Sequence, residues 1–190
     1  VRRDPFADSV LRKIMLRIFF VSLVALLAAV SAARAELAVP RAAVEAGLKA
    51  ADCAVNYEQA TEHLDPPHDL GDGKKLQEIL CRKDEYQYSG IFFAYEETSP
   101  QSARLLVFSF PRARGYESRH SVTSPEFDAK DKALTSLDKG RKSGVCGSAG
   151  EWKWNGRDFI LIRYWLKVDC NRGRFDPKRR PKDWLIYPKK

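Results

Sequence analysis

Histidine and aspartate side chains lie close together in one short stretch of the chain, and both types can bind a divalent metal ion. The stretch contains His63, Asp65, His68 and Asp69. Two adjacent prolines interrupt it, and the spacing matches none of the usual patterns of metal ligands. A flexible acidic loop is the simpler interpretation, so the sequence predicts no metal site and no cofactor.

One common arrangement for nucleophilic catalysis is a serine or cysteine with a histidine and an acid nearby. The histidines are His63, His68 and His120, and no serine lies within a Gly-x-Ser-x-Gly elbow. Glu96 and Glu97 are adjacent, so in a strand they would point to opposite faces and would not form a catalytic pair. An enzyme whose histidines or loop acids converge on a pocket is the alternative. The residues favour a protein that is not an enzyme.

Lysine and arginine are concentrated in a loop around Gly140 and Gly144 and in the C-terminal stretch. A basic loop that contains glycine can hold an anion through side chains and backbone N–H groups. In the C-terminal stretch, Phe175 and Trp184 are interspersed among the cations. The candidate anion-binding residues are Lys139, Arg141, Lys142, Lys178, Arg179, Arg180 and Lys182. Solvated loops without a ligand are the alternative for both segments.

The formal charge of +8 is distributed unevenly along the chain. Residues 1–35 contain six Lys or Arg and two Asp, so residues 36–190 carry +4. Residues 171–190 contain eight Lys or Arg and two Asp, which leaves residues 36–170 at −2. The excess positive charge therefore lies in the C-terminal segment, and it favours partners that carry phosphate or carboxylate groups.

The first part of the chain has the pattern of a secretory signal peptide. Residues 18–30 form an apolar run interrupted only by Ser22, Arg17 precedes it, and Ala33-Arg34-Ala35 follows. A run of this length suits the core of a signal peptide and is shorter than the roughly 20 residues that span a bilayer. The sequence therefore predicts cleavage after Ala35 and periplasmic localisation, without a stable membrane span after cleavage. An uncleaved membrane anchor is the alternative.

The chain contains one methionine, Met15, and it lies just before the apolar run. A start at Met15 would give a compact signal peptide. We therefore expect residues 1–14 to be an extension and the true start to be near Met15.

Four cysteines, Cys53, Cys81, Cys146 and Cys170, lie in the predicted mature chain. An even number of cysteines in an oxidising compartment predicts two disulfides. No two are spaced as C-x-x-C, which argues against a redox pair or a zinc ribbon. Four cysteines allow three pairings, and their spacing does not choose among them.

Residues 36–190 are long enough to form one domain with its own core. Proline followed by Val44 and Leu48, four residues apart, predicts a short helix over Pro40–Ala51. Residues 56–75 are rich in turn residues and predict a loop, as do polar residues 112–131. The predicted strands are residues 76–81, 86–95, 104–110, 133–137, 159–168 and 184–186. The expected fold is mainly β, an antiparallel sandwich or small barrel-like sheet with one short N-terminal helix, two disulfides and a basic segment over 171–190.

Asn155-Gly156 is a preferred pair for a two-residue hairpin turn of type I′. This turn would pair Trp154 with Arg157, Lys153 with Asp158 and Trp152 with Phe159. After the turn, Phe159, Leu161 and Trp165 would line one face of a strand, whereas Ile160, Ile162, Tyr164, Leu166 and Val168 would line the other. A strand that is apolar on both faces is expected inside a sheet rather than at its edge.

A set of motifs in the second half of the chain resembles a known family. They are Leu134-Thr135-Ser136, Lys139-Gly140-Arg141, Cys146-Gly147, Trp152-Lys153-Trp154 and Cys170. Together they resemble the C-terminal signature of exported bacterial proteins catalogued as domain of unknown function 1176. The segment from Leu70 to Cys81, followed by Tyr86, resembles the family's earlier motif. Val145 replaces an acidic residue that is usual there, and Lys142-Ser143 replaces a glycine.

The resemblance covers roughly Cys53 to Trp184. It implies a periplasmic protein with sequential disulfides, Cys53–Cys81 and Cys146–Cys170. It implies no activity.

The leading hypothesis is an exported periplasmic protein that is not an enzyme and that binds an anionic envelope component or a periplasmic protein. Lipopolysaccharide, phospholipid headgroups and peptidoglycan are the candidate components, and no nucleic acid is expected as a partner. The alternative is an inhibitor-type module that blocks a cell-wall hydrolase, and it rests on analogy of fold.

Overall fold

The computed structural model describes residues 37–140, 144–171, 173–176 and 182–188. In these residues the chain is mainly antiparallel β-structure, as predicted, with two short helices before the strands. The helices are α1 (Arg41–Ala50) and α2 (Tyr57–Ala60). The strands are β1 (His68–Gly71), β2 (Lys74–Lys83), β3 (Tyr88–Glu96), β4 (Ser99–Leu105), β5 (Phe108–Pro111), β6 (Tyr116–Arg119), β7 (Ser121–Thr123), β8 (Glu126–Asp128), β9 (Ala133–Gly140), β10 (Cys146–Trp154), β11 (Phe159–Lys167) and β12 (Leu185–Tyr187).

The strands form two sheets and a two-stranded ribbon. The first sheet has the order β1-β2-β3-β4, with β7 also paired to β3. The second sheet has the order β12-β11-β10-β9-β8, and β5 pairs with β6 in the ribbon. Strand β11 therefore lies inside its sheet, as its apolar sequence predicted, and the predicted last strand forms as β12.

The main core lies between the two sheets and the ribbon. Phe92 comes from the first sheet, Phe108 from the ribbon and Trp152 from the second sheet, and all three are fully buried. Their rings meet edge to face, with centroids 5.8 Å apart for Phe92 and Phe108 and 5.7 Å apart for Phe108 and Trp152. Such contacts add to the apolar area that is buried.

A second core lies between helix α1 and the outer face of the first sheet. Val44 and Leu48 of the helix are buried against this sheet, as the spacing of four residues predicted. Gly47 allows the close approach, because a Cβ atom built there would lie 2.5 Å from Phe93 Cζ. Strand β3 is thus covered on both faces, which explains its continuous run of apolar residues.

The prediction of a loop over residues 56–75 is wrong in part. Asn56 and Gln59 form a capping box that starts helix α2, since each side chain accepts the other residue's backbone N–H. Strands β1 and β2 then meet at a two-residue turn of Asp72 and Gly73, both with positive φ. The type I′ hairpin geometry therefore occurs here.

Two other predicted segments are divided differently. The strand expected over residues 104–110 is broken, because β4 ends at Leu105 and β5 begins at Phe108. Leu106 N donates to Phe92 O at 2.8 Å, and the chain then leaves the first sheet for the ribbon. Residues 112–131 contain three short strands, β6, β7 and β8, rather than a loop alone.

The hairpin at Asn155-Gly156 forms, but its predicted register is wrong. The observed register pairs Trp154 with Phe159, Lys153 with Ile160 and Trp152 with Leu161. Asn155 Oδ1 accepts the N–H groups of Arg157 at 2.9 Å and Asp158 at 2.8 Å. This side chain stabilises a turn of four residues, 155–158, in place of the two-residue turn.

A bulge in β11 also changes the predicted faces of that strand. Glu151 pairs with Arg163 and Trp152 pairs with Leu161, so Ile162 is an extra residue. Beyond the bulge, Tyr164 faces the main core rather than sharing a face with exposed Ile160.

No helix in the described part of the chain is long and apolar enough to span a membrane. The predicted signal peptide, residues 1–35, and the predicted start near Met15 lie outside the described residues.

Candidate functional site

The two disulfides follow the sequential pairing that the family resemblance implied. Cys53 bonds Cys81 and thereby ties the segment after α1 to β2. Cys146 bonds Cys170 and ties the start of β10 to the segment after β11. The second disulfide therefore fixes the beginning of the C-terminal basic segment beside the end of the basic loop that precedes β10.

A backbone hydrogen bond continues this connection. Phe175 N donates to Gly144 O at 3.0 Å. The Phe175 side chain is buried on the outer face of the second sheet with Trp165, and its ring centroid lies 5.5 Å from that of Trp184. The described parts of the C-terminal segment are thus packed against the sheet by aromatic contacts.

A buried lysine organises the same region. Lys167, at the end of β11, donates from Nζ to Val145 O, Asp169 O and Gly173 O, and lies over the ring of Trp184 at 5.7 Å. The ammonium group therefore joins the basic loop, the disulfide segment and the C-terminal segment. Lys167 was missed in the sequence because a lysine at the end of an apolar strand is usually exposed.

The described cations around this junction are exposed. Lys139 lies at the end of β9, and a Cβ atom built on Gly144 would lie 3.7 Å from Lys139 Cδ. Arg174 precedes buried Phe175, and Lys182 starts a short 3₁₀ helix that ends at Trp184. We call Lys139, Arg174 and Lys182 the basic end. The other candidate residues, Arg141, Lys142, Lys178, Arg179 and Arg180, lie outside the described residues.

The start of the basic loop is bonded to Gln87, which lies between β2 and β3. Lys139 N donates to Gln87 Oε1 at 3.1 Å, and Gln87 Nε2 donates to Asp138 Oδ1 at 3.3 Å. These bonds leave the ammonium group of Lys139 on the surface. The basic end can therefore attract an anion from solvent.

The histidine and aspartate stretch is not assembled as a metal site. The His68 ring packs on Phe127 at 4.8 Å, whereas the His63 ring is exposed. Asp69 Oδ1 accepts the N–H of Gly71 at 3.1 Å. Over the described ranges, no three His, Cys, Asp or Glu residues are grouped so that they could hold a metal ion. His120 Nδ1 lies 3.0 Å from Leu106 O.

Comparison with known proteins gives a family and one curated relative. The model of the family described as "Protein of unknown function (DUF1176)" matches residues 21–185. An uncharacterized protein, YpfG of Escherichia coli (strain K12), is 27% identical over 117 residues, which are 61% of this chain and 33% of that protein. The chain thus spans about a third of the length of the curated relative it matches. No solved structure matches the chain.

Proposed function

The chain belongs to the DUF1176 family, and we propose that it is an exported periplasmic protein, not an enzyme, whose basic end binds an anionic component of the bacterial envelope. One observation carries the proposal: the bond from Phe175 N to Gly144 O, beside the disulfide Cys146–Cys170, brings two basic segments together. Gly144 and Phe175 are 31 residues apart in the sequence, and their contact brings the described cations Lys139 and Arg174 to the same end of the second sheet.

Export is supported by two features. Residues 1–35 have the pattern of a cleaved signal peptide. The four cysteines form two disulfides, which persist in oxidising compartments such as the periplasm. DNA and RNA are not expected there, so phosphate and carboxylate groups of the envelope are the anions that the basic end would meet.

The charge distribution supports an electrostatic mode of binding. Residues 36–170 carry −2 and residues 171–190 carry +6. A local cluster of cations on a slightly acidic protein directs anions to one face. Because the cations of the basic end are exposed, salt screens them over a Debye length of about 10 Å at 0.1 M. Binding should therefore weaken strongly as salt rises.

The test is sedimentation of the oxidised mature protein, residues 36–190, with purified envelope fractions at low and high salt. One variant carries Lys178, Arg179, Arg180 and Lys182 changed to Gln. A second carries Lys139→Gln, Arg174→Gln and Lys182→Gln, which removes the described cations. The control carries Lys49→Gln, Lys130→Gln and Lys153→Gln, which removes the same charge from other exposed positions.

We expect the wild type and the control to bind at low salt, and we expect high salt to reproduce the loss seen in the first and second variants. Equal losses in the control and the second variant would show that total charge, rather than the basic end, governs retention. Absence of binding by folded wild type would contradict the proposal and would direct the search to a protein partner.

A further inference from the structure

A cleft of about 350 Å³ opens between the two sheets at the far end of β10 from the basic end. Lys74, Glu96, Ser102 and Arg104 of the first sheet line one side. Trp154, which precedes the turn of residues 155–158, and Arg157 within that turn line the other side. Its volume is at the lower end of the range for small-molecule sites and is larger than an inorganic anion requires.

The walls of the cleft are held in place by bonds across the two sheets. Lys74 Nζ donates to Gly156 O at 3.1 Å. Arg104 donates to Asp158 Oδ1 at 2.8 Å and also to Arg157 O. These contacts fix the turn over the cleft, so the site is formed before any ligand arrives. A preformed site loses less conformational entropy when it binds.

Positive charge predominates at the rim. Lys74, Arg104 and Arg157 contribute three cations, while Glu96 and Asp158 contribute two carboxylates, one of which is already bound by Arg104. The Arg157 side chain is 87% exposed, and its Nε lies 3.7 Å from Asp158 Oδ2. An ammonium group has three N–H donors, so Lys74 can also donate toward the cleft while bonded to Gly156.

The remaining lining is of mixed polarity. Trp154 retains 9% exposure beside Ala94, which gives the cleft an apolar surface. The Ser102 hydroxyl already donates to Ser99 O at 2.6 Å and accepts from Glu96 N at 3.0 Å, whereas the exposed Glu96 carboxylate can accept hydrogen bonds from ligand hydroxyl groups. A ligand that fits this lining combines a weakly apolar ring face, several hydroxyls and one negative charge.

We propose that this cleft binds a sugar unit that carries a carboxylate. The sugar ring contacts Trp154, its hydroxyls donate to the Glu96 carboxylate, and its carboxylate is held by Arg157 and Lys74. Arg157 has the planar group that binds carboxylates through paired hydrogen bonds. This site is separate from the basic end and does not depend on the function proposed for it.

The test is a titration of the oxidised full chain, labelled with ¹⁵N, with D-glucuronate and with D-glucose. The Trp154 indole resonance reports occupancy. Arg157→Gln removes a cation that is more exposed than Arg104. Lys153→Gln is the matched control, because Lys153 is an exposed cation on the same hairpin but points to the opposite face from Trp154.

We expect glucuronate to shift the Trp154 resonance and to bind more tightly than glucose. Arg157→Gln should weaken glucuronate binding about fivefold, the effect of losing one exposed charge-assisted contact, while Lys153→Gln leaves it unchanged. The proposal is overturned if millimolar glucuronate leaves the Trp154 resonance unmoved, if glucose binds equally well, or if both variants weaken binding to the same extent. Arg157→Gln should not alter retention by envelope fractions, which separates this test from that of the basic end.

Discussion

Glu78 lies on strand β2 of the first sheet, and its side chain is partly buried. It is opposite Phe92 in the register of β2 and β3. A Cβ atom built on Gly90 would lie 2.6 Å from Glu78 Oε1, so glycine provides the room that the carboxyl group occupies. Burial, with a further contribution from the charge of Asp65, raises the pKa of Glu78 to about 7.

This pKa makes the stability of the fold depend on pH. Between the ordinary value of 4.5 and about 7, the folded chain keeps a proton on Glu78 that the unfolded chain has lost. The free energy of unfolding should therefore fall as pH rises through this range, by up to roughly 3 kcal/mol for the full shift. Glu78→Gln should flatten this dependence and should be more stable than wild type above pH 7. Urea unfolding at a series of pH values measures both effects.

Glu62→Gln is the control, because Glu62 is an exposed carboxyl group in the same half of the chain. Its unfolding curves should follow those of wild type at every pH. The interpretation fails if Glu78→Gln and wild type lose stability in parallel between pH 4.5 and 7.

At the scale of elements, the two disulfides have different tasks. Cys53–Cys81 fastens the helical segment to β2, whereas Cys146–Cys170 fastens the C-terminal segment beside the basic loop. Their sequence separations of 28 and 24 residues are similar, so the chain-entropy model gives each about 3–4 kcal/mol of stabilisation. Removing either disulfide should therefore cost similar stability, so a difference in binding between the two variants would not be due to stability.

Replacing Cys146 and Cys170 with Ser should lower stability by about 3–4 kcal/mol and weaken retention by envelope fractions. The retention falls because the basic segments are no longer fixed to one another. Replacing Cys53 and Cys81 with Ser should lower stability similarly but leave retention unchanged. The retention of both variants is measured by sedimentation at a temperature where circular dichroism shows each variant folded. Equal retention by the two variants would contradict a role for Cys146–Cys170 in assembling the basic end.

Local sequence patterns predicted those features of the fold that depend only on residues close together in the sequence. The antiparallel β class, helix α1 and the apolar faces of β3 follow from the period of the sequence. The hairpin register does not, because it depends on the Asn155 side chain and on bonds to the turn from Lys74 and Arg104 of the other sheet. The bulge at Ile162 likewise has no local marker, and it reverses the faces of β11 after that residue.

For the candidate site, the sequence predicted which residues carry the positive charge but not how they come together. The two basic segments are visible as clusters of Lys and Arg, and Lys139 and Lys182 are exposed as an anion site requires. Their convergence depends on Phe175 and Gly144, which are far apart in sequence and carry no signal of contact. The cleft near Trp154 was missed for the same reason, since its cations come from two different sheets.

At the scale of the whole molecule, Trp152 joins the two sheets through the ribbon. Its ring centroid lies 5.1 Å from that of Phe110, and its Nε1 donates to Ser109 O at 3.1 Å. Gly150, two residues earlier on the same face of β10, lies beneath this ring. A Cβ atom built on Gly150 would lie 2.1 Å from Trp152 Cη2 and 2.5 Å from Cζ3.

Gly150→Ala should therefore displace Trp152 and destabilise the domain by roughly 1–3 kcal/mol, the usual cost of overpacking a core. The clashing atoms belong to the six-membered ring of the indole, which the smaller ring of Phe would not place there. Trp152→Phe has a cost of its own, because it leaves a cavity and an unpaired Ser109 carbonyl. In that background, however, Gly150→Ala should cost much less. Denaturant unfolding of wild type, both single variants and the double variant measures this coupling. If Gly150→Ala costs the same in both backgrounds, the close contact with Trp152 is not what requires glycine at this position.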